Sequence, residues 1–259
     1  MNGTPLVILI DLDGTVQGDI TPQIEEYKLL EKLHIKHNRK MLASDYTKGL
    51  LRPYFTNFVN LIDKVHSGRV ELFVYTASEK VWAHHIVPTI ESVTGVKFNR
   101  PIFTRNECNM DNQTHKSLAA VKPKIYRSLR KKYANITKDS LDHKIYLIDN
   151  SNVLQETKFL LKCPTYDYTV NIDMLRCIDA DTRRKHHALI SSHLGSNSCK
   201  SVWEMYKHVY QNAYDKYMMS SKDNAIQSKD RYWKQVCLIF RGFKDYRSIL
   251  QNVRQLGRN

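Results

Sequence analysis

Two aspartates, Asp11 and Asp13, stand two residues apart and lead into Gly14 and Thr15. They follow directly on an apolar run, LVILI. Carboxylates at this spacing, just past a strand, can aim at one centre. Asp149 comes after a second apolar run, IYLI, and opens the triplet Asp149-Asn150-Ser151. Three negative groups brought together repel, by roughly 4 kcal/mol per pair at ~4 Å and an effective dielectric of about 20. A hard divalent cation relieves that repulsion, and Mg²⁺ suits it because it needs only one or two carboxylates beside water and phosphate oxygens. On this reading Asp11, Asp13 and Asp149 are the metal ligands. Asp11 is a nucleophile for in-line attack on phosphorus. Asp13 is the acid that protonates the leaving oxygen and the base that then activates water. Thr76, in the polar triplet Thr76-Ala77-Ser78, offers its hydroxyl to a phosphate oxygen.

These residues need a frame that gathers them. LVILI is a continuous apolar run, the pattern of a strand buried on both faces, and residues 70–75 (VELFVY) and 145–148 (IYLI) look similar. Residues 165–170 (TYDYTV) are a weaker fourth candidate. Helical patterns lie between them, over 55–65, 80–93 and 116–133. Alternation of this kind predicts an α/β fold with a doubly wound parallel sheet. Ligands then bind beyond the carboxyl ends of the strands, where the three polar triplets fall. A polar, helix-forming insertion over 17–50 interrupts the alternation and is placed to cover the site. From about Ser191 the composition shifts, so a core over 1–194 and a helical extension over 195–259 are expected.

Composition narrows the partners. The formal net charge is +14, and residues 195–259 carry 12 Lys and Arg against 5 Asp and Glu. Attraction to a phosphate-bearing substrate fits that sign, and so does nucleic acid, so charge alone does not choose. In the extension Val202, Met205, Tyr206 and Val209 have helical spacing, continued by Tyr210, Tyr214 and Tyr217, and a second helix is predicted around Trp233, Val236, Cys237 and Phe240. Two readings stay open there: a helix pair docked on the core, or a docking surface for an acidic partner or nucleic acid. Cys108, Cys163, Cys177, Cys199 and Cys237 are odd in number and form no CxxC pair. That pattern argues against a zinc knuckle or a disulfide framework, and for reduced thiols in an intracellular compartment, cytoplasmic or nuclear. The adjacent pairs His84-His85 and His186-His187 point to different faces of a helix, which disfavours a histidine metal site. No stretch approaches the roughly 20 apolar residues of a membrane helix.

The sequence LVILIDLDGT, with VYTAS and LIDNS behind later strands, resembles the haloacid dehalogenase superfamily. Within it the chain is similar to the NIF-like phosphatases that act on the RNA polymerase II carboxy-terminal domain. Further matches are Arg52-Pro53, IFTRNEC (residues 102–108) and KSL (residues 116–118). The resemblance implies Asp11 as nucleophile, Asp13 as general acid/base, Thr76 and Ala77 as phosphate ligands, and Arg105 near the substrate phosphate. It places Asn150 on the Mg²⁺ ion with Asp149 in or beside the coordination shell. It also requires a lysine, for which Lys116 is preferred and Lys122, in Lys122-Pro123, is the rival. The segment 17–50 and the stretch between Lys116 and Asp149 are longer than in compact members. The implied activity is hydrolysis of a phosphoserine or phosphothreonine protein. The rivals are a nucleotide or nucleic-acid 3′-phosphatase and a non-catalytic binding protein on the same fold.

Overall fold

The computed structural model describes residues 3–109, 115–170, 172–173, 175–193, 224–242 and 245–257. In chain order, β1 (Leu6–Ile10) is followed by α1 (Thr21–Lys32), α2 (Arg39–Asp45), α3 (Phe55–Val65), β2 (Val70–Val74) and α4 (Lys80–Thr94). Then come α5 (Leu118–Leu129), β3 (Ile145–Asp149), β4 (Leu160–Lys162), α6 (Ala180–Lys185) and α7 (His187–His193). Two further described helices are α8 (Tyr232–Gly242) and α9 (Tyr246–Leu256).

The four strands form one parallel sheet in the order β2-β1-β3-β4. Every residue of β1 and β2 is buried, which explains why β1 reads as an unbroken apolar run and β2 as one interrupted only by Glu71. Ile8 and Ile10 of β1 pack with Phe58, Val59, Ile86 and Trp233 on one face of the sheet. Val7 and Leu9 pack on the other face with Val121, Ile125 and Leu129 of α5. In α3, Phe55, Phe58, Val59 and Ile62 recur at helical spacing and are all buried. Each such side chain contributes roughly 1.5–3 kcal/mol when fully removed from water.

The helix over 55–65 lies where the sequence puts it, and the helix predicted from residue 80 ends at Thr94. Two expectations change. The fourth strand is Leu160–Lys162 and not residues 165–170. Beyond Lys162 the backbone crosses the strand ends instead of extending the sheet: the Cys163 amide donates to the Asp149 carbonyl and the Tyr166 amide to the Gly14 carbonyl. The helix expected over 116–133 begins only at Leu118, which leaves Lys116 in the connection ahead of it.

The insertion forms α1, α2 and one wide π turn, Tyr46–Leu50. Arg176 fastens it, donating to both oxygens of Glu26 and both of Asp45, each at 2.8 Å. At the other end of the chain Trp233, Val236, Cys237 and Phe240 are buried as the helical spacing predicts, with the Trp233 ring edge-on to Phe55 at 5.0 Å and tilted against Phe58 at 4.6 Å. α9 was not anticipated, although Ile249, Leu250 and Val253 form its buried face. The helix expected around Val202 to Tyr217 lies outside the described residues. Among the described residues no helix is long and apolar enough to cross a membrane.

Candidate active site

The chain turns sharply after β1 because Gly14 adopts φ +72°, a left-handed conformation that disfavours side chains. A Cβ there would also meet the side-chain Nδ2 of Asn150 at 2.5 Å. The turn is closed by the amides of Thr15, Val16 and Gln17, which all donate to the Leu12 carbonyl. Thr15 ties it to the end of β3, accepting from the Asn150 amide at 3.1 Å. Sequence segments more than 130 residues apart therefore meet at the carboxyl end of the sheet.

Asp11 and Asp149 are both buried there, and Lys116 lies between them with only 1 % of its surface exposed. Its Nζ donates to Asp11 Oδ1 at 2.5 Å and to Asp149 Oδ2 at 2.7 Å. The lysine is held from several sides. Its amide donates to the Val153 carbonyl at 2.8 Å, and its carbonyl accepts from the Gln155 amide at 3.0 Å. Glu156 then caps α5, accepting from the Leu118 and Ala119 amides at 3.0 and 3.2 Å. The Tyr75 ring lies 5.6 Å from the ammonium. Lys122, by contrast, sits on the surface in an ion pair with Asp142.

Burial pushes the Asp11 carboxyl up to about 7; the Lys116 ammonium pulls it back, and Asp149 and Asp13 add repulsion. Burial alone would favour a neutral Lys116 amine, but Asp11 and Asp149 outweigh that and hold the ammonium above its usual range. One cation between two carboxylates leaves net negative charge in a poorly solvated place. Such a site attracts a further cation.

Asp13 is oriented differently. Its two oxygens accept from Gln17 Nε2 at 2.6 Å and Ser78 Oγ at 2.8 Å. Gln17 is set in turn by the hydroxyl of Tyr46, which donates to its Oε1 at 2.6 Å. Tyr46 belongs to the π turn of the insertion, so that segment reaches the site from behind the acid. Thr76 is buried, and its Oγ1 accepts from the Ser78 amide at 3.1 Å. Arg105 is exposed and borders the same turn, donating from Nε to the Ala77 carbonyl at 2.9 Å.

Among the described residues, no three His, Cys, Asp or Glu side chains are grouped to hold a metal ion by themselves. Asp11 and Asp149 converge on Lys116, and Asp13 is turned toward Gln17 and Ser78. The oxygen-only donor set fits Mg²⁺, which binds through few carboxylates, and does not fit a zinc site built from Cys or His.

Sequence reasoning gave Ser78 of the Thr76-Ala77-Ser78 triplet no role of its own, and passed over Gln17 and Tyr46, whose types carry no signal apart from their neighbours. It also passed over what holds the turn after Asp11 from below. The Thr15 carbonyl accepts from Arg52 Nη1 at 3.3 Å and from Trp233 Nε1 at 3.2 Å, and both side chains are buried. Arg52 was legible only as part of an Arg-Pro pair.

Residues 6–173 match the model of the NLI interacting factor-like phosphatases. No curated protein matches the chain. Among solved structures the chain is similar to Fcp1, described as an essential RNA polymerase II CTD phosphatase, at 15 % identity and a TM-score of 0.37. That match covers 87 % of this chain and 67 % of the other. It is also similar to a variant of the fission yeast RNA polymerase II CTD phosphatase Fcp1 bound to beryllium fluoride, at 18 % identity and a TM-score of 0.37, covering 98 % of this chain and 62 % of that one. With the family model matched over well more than half its length, the chain belongs to the NLI interacting factor-like phosphatases, enzymes of the haloacid dehalogenase type.

Proposed function

We propose that the protein is a Mg²⁺-dependent phosphomonoester hydrolase working through an aspartyl phosphate on Asp11, with a phosphoserine or phosphothreonine protein as substrate. The observation that carries this reading is the buried Asp11–Lys116–Asp149 cluster beyond the strand ends, with Asp13 beside it. An Asp11 oxygen forms a bond to phosphorus as the bond to the leaving oxygen breaks, and Asp13 delivers a proton to that oxygen. Asp13 then takes a proton from water, whose oxygen bonds to phosphorus as the bond to Asp11 breaks, releasing phosphate. Lys116, Thr76, Ala77 and Arg105 orient the phosphoryl oxygens and offset their charge. Asp11, Asp13, Asp149 and Asn150 are the residues that would hold Mg²⁺, which supplies further charge neutralisation when bound. We read the division of the chain as a core over 1–194 and an extension over 195–259.

The test is turnover of p-nitrophenyl phosphate with Mg²⁺ and then with EDTA, followed by phosphoserine and phosphothreonine peptides against nucleotides and 3′-phosphorylated oligonucleotides. Mg²⁺-dependent release of phosphate, with peptides preferred, supports the reading. Preference for the oligonucleotides would move the substrate to nucleic acid, and no turnover of any ester would leave a binding protein.

A further inference from the structure

At the end of the sheet opposite Asp11, α9 and the approach to β3 enclose a groove of about 700 Å³. Leu6, Tyr146 and Leu250 give it an apolar lining, while Lys144 from the sheet side and Arg247 and Arg254 from α9 give it charge. The two arginines are seven positions apart, which places them on one face of the helix two turns from each other. Lys144 donates to the Thr4 carbonyl at 2.9 Å and Arg254 to the Lys158 carbonyl at 2.6 Å. Those bonds to neutral carbonyls orient the cations without neutralising them. Among the described residues, no Asp or Glu lines the groove.

Arg52, Arg100 and Arg176, which anchor the fold, are each matched by a carboxylate, whereas Arg69, Arg105 and Arg183 donate to backbone carbonyls. Among the described residues Lys144, Arg247 and Arg254 are in no ion pair. Three like charges around one concavity repel, and an anion seated between them relieves that repulsion.

We propose that this groove docks an acidic segment of a partner polypeptide. Charge complementarity selects the anion, and the apolar lining accommodates the side chains between acidic residues. Gln251 and Gln255, also on the groove, each present a donor and an acceptor, which matches peptide units. A nucleic-acid backbone offers phosphate acceptors and is followed by a longer basic track than three cations in one short cavity. The inference does not rest on the phosphatase reading. β1 separates the groove from Asp11 by about 17 Å, five residues at ~3.3 Å each.

The experiment measures binding of a fluorescent, glutamate-rich, unphosphorylated 12-residue peptide to the full chain by anisotropy, at two salt concentrations. Such a peptide is no substrate, so binding and turnover are read separately. Arg247→Glu with Arg254→Glu should weaken binding by roughly tenfold or more, while turnover of p-nitrophenyl phosphate stays at the wild-type rate. The exposed pair Lys64→Glu with Lys97→Glu, an equal change of net charge, should weaken binding less than about threefold. Lys144→Gln, on the opposite wall, should also weaken binding and keeps the test decisive if the double reversal fails to fold. Equal losses in the groove variant and the control would mean that overall charge, not the groove, holds the peptide, and would overturn the proposal. So would tighter binding of a 12-residue oligothymidylate that is lost in the groove variants.

Discussion

The buried Arg52 and the partly buried Asp230, 178 residues apart in sequence, form a two-bonded ion pair, Nε to Oδ1 at 3.0 Å and Nη2 to Oδ2 at 2.8 Å. The guanidinium also lies over the Tyr232 and Tyr166 rings at 5.0 and 5.5 Å and donates to the Thr15 carbonyl. The C-terminal extension is thus bound into the turn that carries Asp11 and Asp13. Removing one partner of a buried pair leaves the other charge uncompensated, at a cost of about 3–5 kcal/mol. Asp230→Ala should therefore lower Tm by roughly 6–20 °C, at ~2–4 °C per kcal/mol for a chain of this size. Asp230→Asn, which keeps an acceptor, should lose less. Truncation after Leu194 removes Asp230, Trp233, Val236 and Phe240 together, and should lose more stability than Asp230→Ala. A truncation as stable as the full chain by circular dichroism would contradict this.

Asp11→Asn should reduce phosphate release by at least roughly 10³-fold with the circular dichroism spectrum unchanged, because covalent catalysis would have lost its nucleophile. Beryllofluoride should modify Asp11 of the wild type and leave the variant unmodified. Retention of more than about a tenth of the activity would exclude the aspartyl-phosphate route.

Asp13→Asn should impair turnover by a different route. It keeps the nucleophile but removes the proton that the leaving oxygen needs. Pre-steady-state phosphorylation should therefore fall far less with p-nitrophenyl phosphate than with an alkyl phosphate. Gln17→Leu, which cuts the Tyr46–Gln17–Asp13 chain of hydrogen bonds, should reproduce part of that leaving-group dependence. Equal losses for good and poor leaving groups would remove Asp13 from the role of acid.

Lys116→Ala should abolish most turnover, while Lys122→Ala should leave it within about twofold. The first strips the cation from two buried carboxylates. The second breaks a surface ion pair worth about 0–1 kcal/mol. Steady-state kinetics on the two variants, with thermal unfolding as a folding control, decide it, and the opposite ranking would reassign the role.

Acid should weaken the packing of the insertion on α4 through His85, whose ring lies 4.9 Å from Tyr27 and 5.3 Å from His37. Burial holds its imidazole down to about 4 against an ordinary 6.5, and His37 and Arg39 push the same way. Between those values the unfolded chain binds the proton and the folded chain does not. The contribution of His85 to stability is therefore level above about pH 6.5 and falls as the pH drops toward 4. His85→Gln should show a shallower loss of Tm between pH 7.5 and 5 than the wild type. An unchanged slope would mean that other groups dominate.

The sequence by itself determined the α/β class, the strands that carry the site and the acidic turns behind them. Apolar runs and helical periodicity are local, and so are two aspartates two residues apart. The buried face around Trp233 was legible for the same reason. Other features depend on neighbours distant in the chain. Which lysine meets Asp11 was decided only when α5 began at Leu118, leaving Lys116 free to be pinned by residues 153–155. The fourth strand shifted to Leu160–Lys162 because residues 163–166 bond instead to Asp149 and Gly14, which are adjacent only after folding. Ser78, Gln17 and Tyr46 acquire a role through Asp13, and Asp230 through Arg52. A hydroxyl, an amide or one surface-like aspartate has no sequence period. Its function is set by the partner that burial brings within hydrogen-bonding distance, and that choice belongs to the tertiary structure.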